Sequence, residues 1–168
     1  LYGADTVVKF QSHHWPQWGT EKITEYWKKQ RDMYKYTHDQ SVNLMNKGYT
    51  GEEISETIKL PPELDKFWPN RGYYGTLSHN SRAVYQRYMG WYNGNPSNLN
   101  NLPPEAAAKK YVEYMGGEAA IMKRAKGDFD KGEYRWTAEA LKHVVFANPQ
   151  SKAGKELLAD SLEQLGYQ

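Results

Sequence analysis

The sequence predicts a mainly α protein that begins with one short β-strand. Three observations carry this. Residues 6–10, Thr6-Val7-Val8-Lys9-Phe10, are β-branched and aromatic around a single charge. From Thr20 onward, apolar and aromatic residues recur at alternating three- and four-residue spacings, the period of a helix face. The last third is Ala-rich and punctuated by tight-turn signals at Lys131-Gly132-Glu133 and Asn148-Pro149-Gln150.

Taken in order, the strand comes first, and a lone strand cannot satisfy its own backbone groups. It therefore predicts a sheet from elsewhere and a chain that starts inside a larger protein. A long helix follows, with Thr20 as N-cap, Glu21 in its first turn and Gly48 at its end. Its stripe, Ile23, Trp27, Gln30, Tyr34, Thr37, Ser41 and Leu44, is aromatic and half polar, which suits an interface better than a deep core. Thr50 with Glu53 forms a capping box for a short helix to about Lys59. Pro61-Pro62 breaks the chain and opens a further turn through Phe67-Trp68. The loop from Asn70 to Asn80 then leads into a helix carrying Val84, Tyr88 and Trp91, which stops at Asn93.

Residues 93–104 are rich in Asn and Pro and read as a connector between two helical halves. Pro103-Pro104-Glu105 starts the next helix, with Tyr111, Val112 and Met115 on one side and Gly116-Gly117 as its stop. In the last third, Ala138 and Ala140 sit among Tyr134, Leu141 and Ala147, with Pro149 after the helix, a tetratricopeptide-like arrangement. About one and a half such hairpins fit, below the roughly three repeats a free-standing solenoid needs.

A chain of 168 residues with 22 basic and 20 acidic side chains, interspersed, has no basic stripe for nucleic acid or for an anionic membrane surface. No apolar run approaches the length of a membrane span. The absence of cysteine excludes disulfides and thiolate metal sites. The 14 Tyr, 6 Trp and 4 Phe point to apolar surface meant for another chain or domain.

Chemistry concentrates in Ser12-His13-His14-Trp15-Pro16-Gln17-Trp18-Gly19, where two of the five histidines stand side by side at the strand end. Neutral imidazole is the commonest side-chain metal ligand. Adjacent strand residues point to opposite faces, so the pair does not share one ion. Either one of them binds a metal, or both simply pack. The chain holds no HxH, HxxxH or HExxH spacing and cannot assemble a full metal site. His79, between Ser78 and Asn80 at a loop-to-helix junction, is either an anion-binding residue or a packing residue beside a capping Ser78 or Asn80. Arg71 and Arg82 flank that loop, while His38 and His143 read as structural. There is no Gly-rich phosphate loop, nucleophile elbow or Ser-His-Asp set.

Several long segments together carry a family resemblance. They are Ser12-His13-His14-Trp15-Pro16, Lys29-Gln30-Arg31-Asp32-Met33-Tyr34-Lys35-Tyr36 with His38-Asp39-Gln40, and Arg71-Gly72-Tyr73-Tyr74-Gly75-Thr76 with Ser78-His79-Asn80. Gly94-Asn95-Pro96, His143-Val144-Val145-Phe146-Ala147 and the closing Leu158-Ala159-Asp160 and Glu163-Gln164-Leu165-Gly166-Tyr167-Gln168 continue it. Over nearly the whole chain, this resembles the zinc-dependent alkylsulfatases of the metallo-β-lactamase superfamily.

The resemblance implies an enzyme of three parts: a catalytic domain with a two-zinc centre, a helical dimerisation domain and a lipid-carrier-like domain. Residues 1–19 would be the last strand and ligand loop of the first part, and residues 20–168 the second. It implies hydrolysis of alkyl sulfate esters, such as dodecyl sulfate, to alcohol and sulfate. Related zinc domains place their last histidine just after a small residue at a strand end, which puts the ligand on His13, with His14 as the alternative. His79 would lie against the sulfate, binding it or assisting the leaving oxygen, with Tyr74 and Trp91 also at the substrate. The family often has Tyr near the position of Trp91, and Trp brings no hydroxyl there.

The other zinc ligands, in an HxHxDH-type motif, would lie outside this chain, which alone would be inactive. A homodimer is implied, with Trp27, Tyr34 and Tyr36 of the long helix at its contacts, and a periplasmic or secreted location. The competing reading is a non-catalytic tetratricopeptide-like interaction module.

Overall fold

The computed structural model describes residues 3–166. Two compact units divide at residues 98/99, inside the Asn/Pro-rich connector. The chain is mainly helical, as its periodicity predicts.

In the first unit the strand is not orphaned. β1 (Val8–Gln11) pairs antiparallel with β2 (His14–Trp18), in the register Val8↔Trp18, Lys9↔Gln17 and Gln11↔His14. Residues 14–18, expected as part of a ligand loop, form this second strand although it contains Pro16. Proline is tolerated on an edge strand, and a two-stranded hairpin has only edges. The reversal is made by His13, whose φ of 66° lies in the left-handed region.

A bare hairpin is marginal in water, so its anchors matter. The Gly19 N–H donates to the Val7 carbonyl at 3.0 Å, and Gln11 Nε2 donates to Tyr26 Oη at 3.0 Å. Thr20 does not cap the long helix as expected. The cap position falls on Gly19, at φ 91°, and the Thr20 hydroxyl donates instead to the Thr6 carbonyl at 3.0 Å.

α1 (Thr20–Asn46) buries Ile23, Tyr26, Thr37 and Ser41. Two hydroxyls inside a packed face are tolerable because each bonds back along its own helix, Thr37 to the Met33 carbonyl at 2.8 Å and Ser41 to the Thr37 carbonyl at 2.6 Å. α2 (Gly51–Thr57) carries the predicted capping box, with the Thr50 N–H donating to Glu53 at 2.8 Å and the Glu53 N–H to the Thr50 hydroxyl at 3.4 Å. Thr50→Ala should lower stability by about 1 kcal/mol in chemical denaturation, with the fold unchanged.

α3 (Pro62–Asp65) and the 3-10 turn Trp68–Asn70 pack on α1, and α4 (Leu77–Met89) packs on α1 and α2. α4 stops at Gly90, φ 77°, so Trp91 lies beyond the helix rather than on it. A left-handed glycine ends the helical hydrogen-bond ladder there, which the aromatic spacing does not reveal.

The second unit comprises α5 (Pro104–Tyr114), α6 (Glu118–Asp130), α7 (Tyr134–Ala147) and α8 (Lys152–Gly166). α7 packs against α5, α6 and α8. Ile121, Ala125, Leu141, Val144 and Leu157 form the core, with Val112, Met115 and Phe129 against it. Small residues let the helices approach: a Cβ added to Gly154 would stand 2.9 Å from Val144 Cγ1. Glu118 pins the α7–α8 turn by accepting from Asn148 Nδ2 at 2.9 Å and from the Ser151 hydroxyl at 2.6 Å. Among the described residues no helix is long and apolar enough to cross a membrane.

Candidate functional site

The turn of the hairpin opens onto a cleft of about 910 Å³ within the first unit, walled by His13, His14, Tyr26, Gln30, Arg71 and Tyr74 among others. Backbone geometry places His13 there. It is the one non-glycine among the described residues with positive φ, a conformation costing about 1–3 kcal/mol that persists where the surroundings impose it. Its side chain is exposed, and its ring packs on Tyr74 with centroids 4.3 Å apart.

His14, one residue on, is treated differently. Its ring lies between Tyr26 and Trp68, at centroid distances of 5.3 and 5.1 Å. Nε2 is buried without a hydrogen-bond partner. Burial first, and the Lys9 charge second, hold this imidazole below its ordinary pKa, so it is kept neutral. Both residues line the cleft, but their rings are held differently: His13 at the turn packs on Tyr74, and His14 packs between Tyr26 and Trp68.

Trp68 is held against His14 by amide chemistry. Gln30 Nε2 donates to Asn70 Oδ1 at 2.7 Å and to the Pro69 carbonyl at 3.1 Å, while Asn70 Nδ2 donates to the Leu64 carbonyl at 2.9 Å. Sequence reading missed Tyr26, Trp68 and Asn70. The available signal was the inward position of Tyr26 one turn after Ile23, which the three- and four-residue count passed over in favour of Trp27.

The loop after Arg71 is built on close backbone approaches. A Cβ on Gly72 would stand 2.5 Å from the Gly75 carbonyl oxygen, and one on Gly75 would stand 2.6 Å from Asn80 Oδ1. This tight path leaves Tyr73 63% and Tyr74 81% exposed along the cleft. Gly72→Ala must displace backbone, so thermal denaturation should show a loss of about 1–3 kcal/mol.

His79 is the third residue of α4. Thr76, and neither Ser78 nor Asn80, caps that helix: its hydroxyl accepts from the His79 N–H at 3.2 Å and meets His79 Nδ1 at 2.7 Å. Thr76, Leu77 and Asn80 line the cleft, but His79 is not among its lining residues. Trp91 is 71% exposed and packs edge-on to Tyr92, outside the cleft lining. Arg82 is committed elsewhere, its Nε donating to Ser55 Oγ at 3.0 Å. His38 does reach the cleft wall, bridged between Asp39 and the Tyr88 hydroxyl at 2.9 and 2.7 Å. The geometry thus brings together His13, His14 and Tyr74.

No group of three or more His, Cys, Asp or Glu side chains among the described residues is placed to hold a metal ion. A metal ion drawing its other ligands from elsewhere would find one imidazole at the positive-φ turn on the cleft, that of His13, and a second in His14, whose Nε2 has no hydrogen-bond partner.

Residues 50–168 match the family described as alkyl sulfatase dimerisation. The chain is 56% identical over 167 residues to the alkyl/aryl-sulfatase BDS1 of Saccharomyces cerevisiae, covering 99% of this chain and 26% of that protein. To an (R)-specific secondary-alkylsulfatase of a Pseudomonas species it is 52% identical over 168 residues, covering 99% and 25%. A solved structure, that of the stereoselective inverting sec-alkylsulfatase Pisa1 from a Pseudomonas species, superposes with a TM-score of 0.95 at 52% identity, over 99% of this chain and 26% of that one. The chain therefore spans about a quarter of the length of these relatives. With more than half its length matched by the family and nearly all of it by these relatives, the chain belongs to the alkyl sulfatase dimerisation family.

Proposed function

We propose that these residues are the dimer-forming part of a zinc-dependent alkylsulfatase, and that they hand one histidine to a metal centre built mostly by other parts of the longer protein. Likeness across the whole chain to proteins named alkylsulfatases carries the reading. Support from the geometry is the imidazole of His13, fixed on the cleft by its backbone, beside Tyr74. His14 is the alternative ligand through its orphaned Nε2. Residues 1–19 belong, on this reading, to the catalytic domain and residues 20–168 to the dimerisation domain.

Bound zinc would supply an activated water and Lewis acidity toward a sulfate oxygen. The chain's own residues do the rest. His13 holds metal, while the Tyr26–Trp68 sandwich keeps the neighbouring His14 neutral and fixed. Arg71 offers the cleft a permanent cation for a sulfate ester, and Tyr74 offers apolar surface to an alkyl chain. Trp91, outside the cleft lining, would meet that chain only beyond the cleft. His79 binds the sulfate or protonates the leaving alkoxide. The Thr76 hydroxyl meets Nδ1 at 2.7 Å, which leaves Nε2 of His79 for that task.

Two copies pair through α1, where Trp27 and Tyr34 are 36% and 65% exposed. Tyr36 contributes less than its neighbours, because its hydroxyl already donates to the Lys59 carbonyl at 2.9 Å.

The test is sulfate release from dodecyl sulfate by the full-length protein, followed by ion chromatography. Turnover should require zinc, disappear on chelation and return on adding zinc back. Zinc-loaded protein that leaves dodecyl sulfate and secondary alkyl sulfates intact would overturn the proposal.

A further inference from the structure

The inner side of the hairpin holds a charge that no described residue neutralises. Lys9 is only 9% exposed, and its Nζ has no hydrogen-bond acceptor. The ammonium rests 3.2 Å from the centroid of the Tyr26 ring. A ring face attracts a cation, yet it does not replace the acceptors that an ammonium with three N–H donors leaves behind in water. Burial accordingly pulls the Lys9 pKa below its ordinary value. If only packing were needed between Val8 and Phe10, an uncharged side chain would fill the place without this penalty.

The opposite side of the hairpin is apolar and open. Phe10 is 81%, Trp15 68% and Trp18 65% exposed, a surface suited to further polypeptide. The chain also spans only about a quarter of its relatives' length, 26% and 25% of two of them.

We propose that Lys9 forms a buried ion pair with an Asp or Glu carboxylate carried by polypeptide outside residues 1–168. A carboxylate is the protein group that is both oppositely charged and purely an acceptor. Tyr26, whose ring carries the Lys9 ammonium, lines the cleft together with Gln11 and His14, which bond to it and pack on it, so this wall is the route of approach. The four-carbon stem lets the ammonium turn from the ring face toward an oxygen. Such a pair would lock the hairpin's orientation, and with it the turn that carries His13. The inference needs the chain to be part of a longer protein, but it does not rest on the zinc or alkyl sulfate reading.

The test is Lys9→Met in the full-length protein, which keeps the stem and its packing and removes the charge. The ion pair predicts a thermal midpoint lower by at least about 3 °C, because a buried carboxylate loses its partner. Neutralising that carboxylate in the Lys9→Met background should recover part of the loss. A midpoint that is unchanged or raised, the result of deleting an unpaired buried charge, overturns the proposal. A full-length crystal structure decides independently, and alone if the variant does not fold. A carboxylate oxygen within hydrogen-bond distance of Lys9 Nζ supports the pair. An ammonium met only by the Tyr26 ring, by water, by a backbone carbonyl or by an inorganic anion refutes it. Zinc content measured on the same samples keeps a failure of this pair distinct from a failure of the zinc reading.

Discussion

Leu141→Ala is expected to lower the unfolding free energy by about 3 kcal/mol, near the middle of the range for truncating a buried leucine. Leu141 is fully buried on α7, the helix that touches the three others of the second unit. Its side chain meets the shared core of Ile121, Ala125, Val144 and Leu157. Relaxation cannot easily fill the void, because Gly154 already brings α8 within 2.9 Å of Val144 when a Cβ is built on it. Urea denaturation of the full-length protein, followed by a probe in this unit, reads the effect. A loss below about 1 kcal/mol would mean that α7 is not the shared partner of α5, α6 and α8. Leu162→Ala on α8, at a position 55% exposed, provides the control and should change little.

Legibility of the fold followed the strength of the local chemistry. The capping box at Thr50 and Glu53, the stops at Gly48 and Gly116-Gly117 and the connector were readable because each is a short-range device with a fixed geometry. The stop at Gly90 was hidden under an aromatic spacing that continues past it. The hairpin was not readable either. Its second strand contains Pro16 and two tryptophans, and its turn depends on His13 adopting a left-handed backbone, a conformation no residue type guarantees. The helix caps went to Gly19 and Thr76 rather than to Thr20, Ser78 or Asn80, since several neighbouring residues were chemically able to cap.

The candidate site shows the same division. A histidine pair beside a strand is visible as a chemical oddity. That one ring packs on Tyr74 while its neighbour is clamped by Tyr26 and Trp68 is a tertiary fact, written in contacts between residues far apart in sequence. Lys9 carried a signal that was passed over: a lone charge at an inward strand position needs an explanation that a surface lysine does not. His79 was visible as an anion-binding candidate from its loop-to-helix junction, whereas its specific role at a sulfate, and any role for Trp91, rest on family resemblance.

The second large effect concerns the histidine pair itself. Zinc in such centres is held by few ligands, so losing one imidazole costs metal affinity far more than losing a surrounding contact does, and the latter already costs roughly 10–100-fold. His13 is bound into the cleft wall by its backbone, whereas His14 is embedded between two rings. The two variants should therefore fail differently. His13→Ala removes a donor but keeps a Cβ at the left-handed turn, so metal is lost while folding stability changes little or falls slightly. His14→Ala empties the aromatic sandwich, so stability falls first.

The central claim is that this chain supplies a zinc ligand from its hairpin, and metal analysis of the full-length protein tests it most directly. Zinc per subunit should be measured by mass spectrometry after dialysis of the wild type, His13→Ala and His14→Ala, each checked for native folding by circular dichroism. The account predicts that folded His13→Ala loses about one zinc per subunit, together with its dodecyl sulfate hydrolysis, while folded His14→Ala keeps its metal. Reversal of that pattern would move the ligand to His14. Full zinc in both folded variants would contradict the claim.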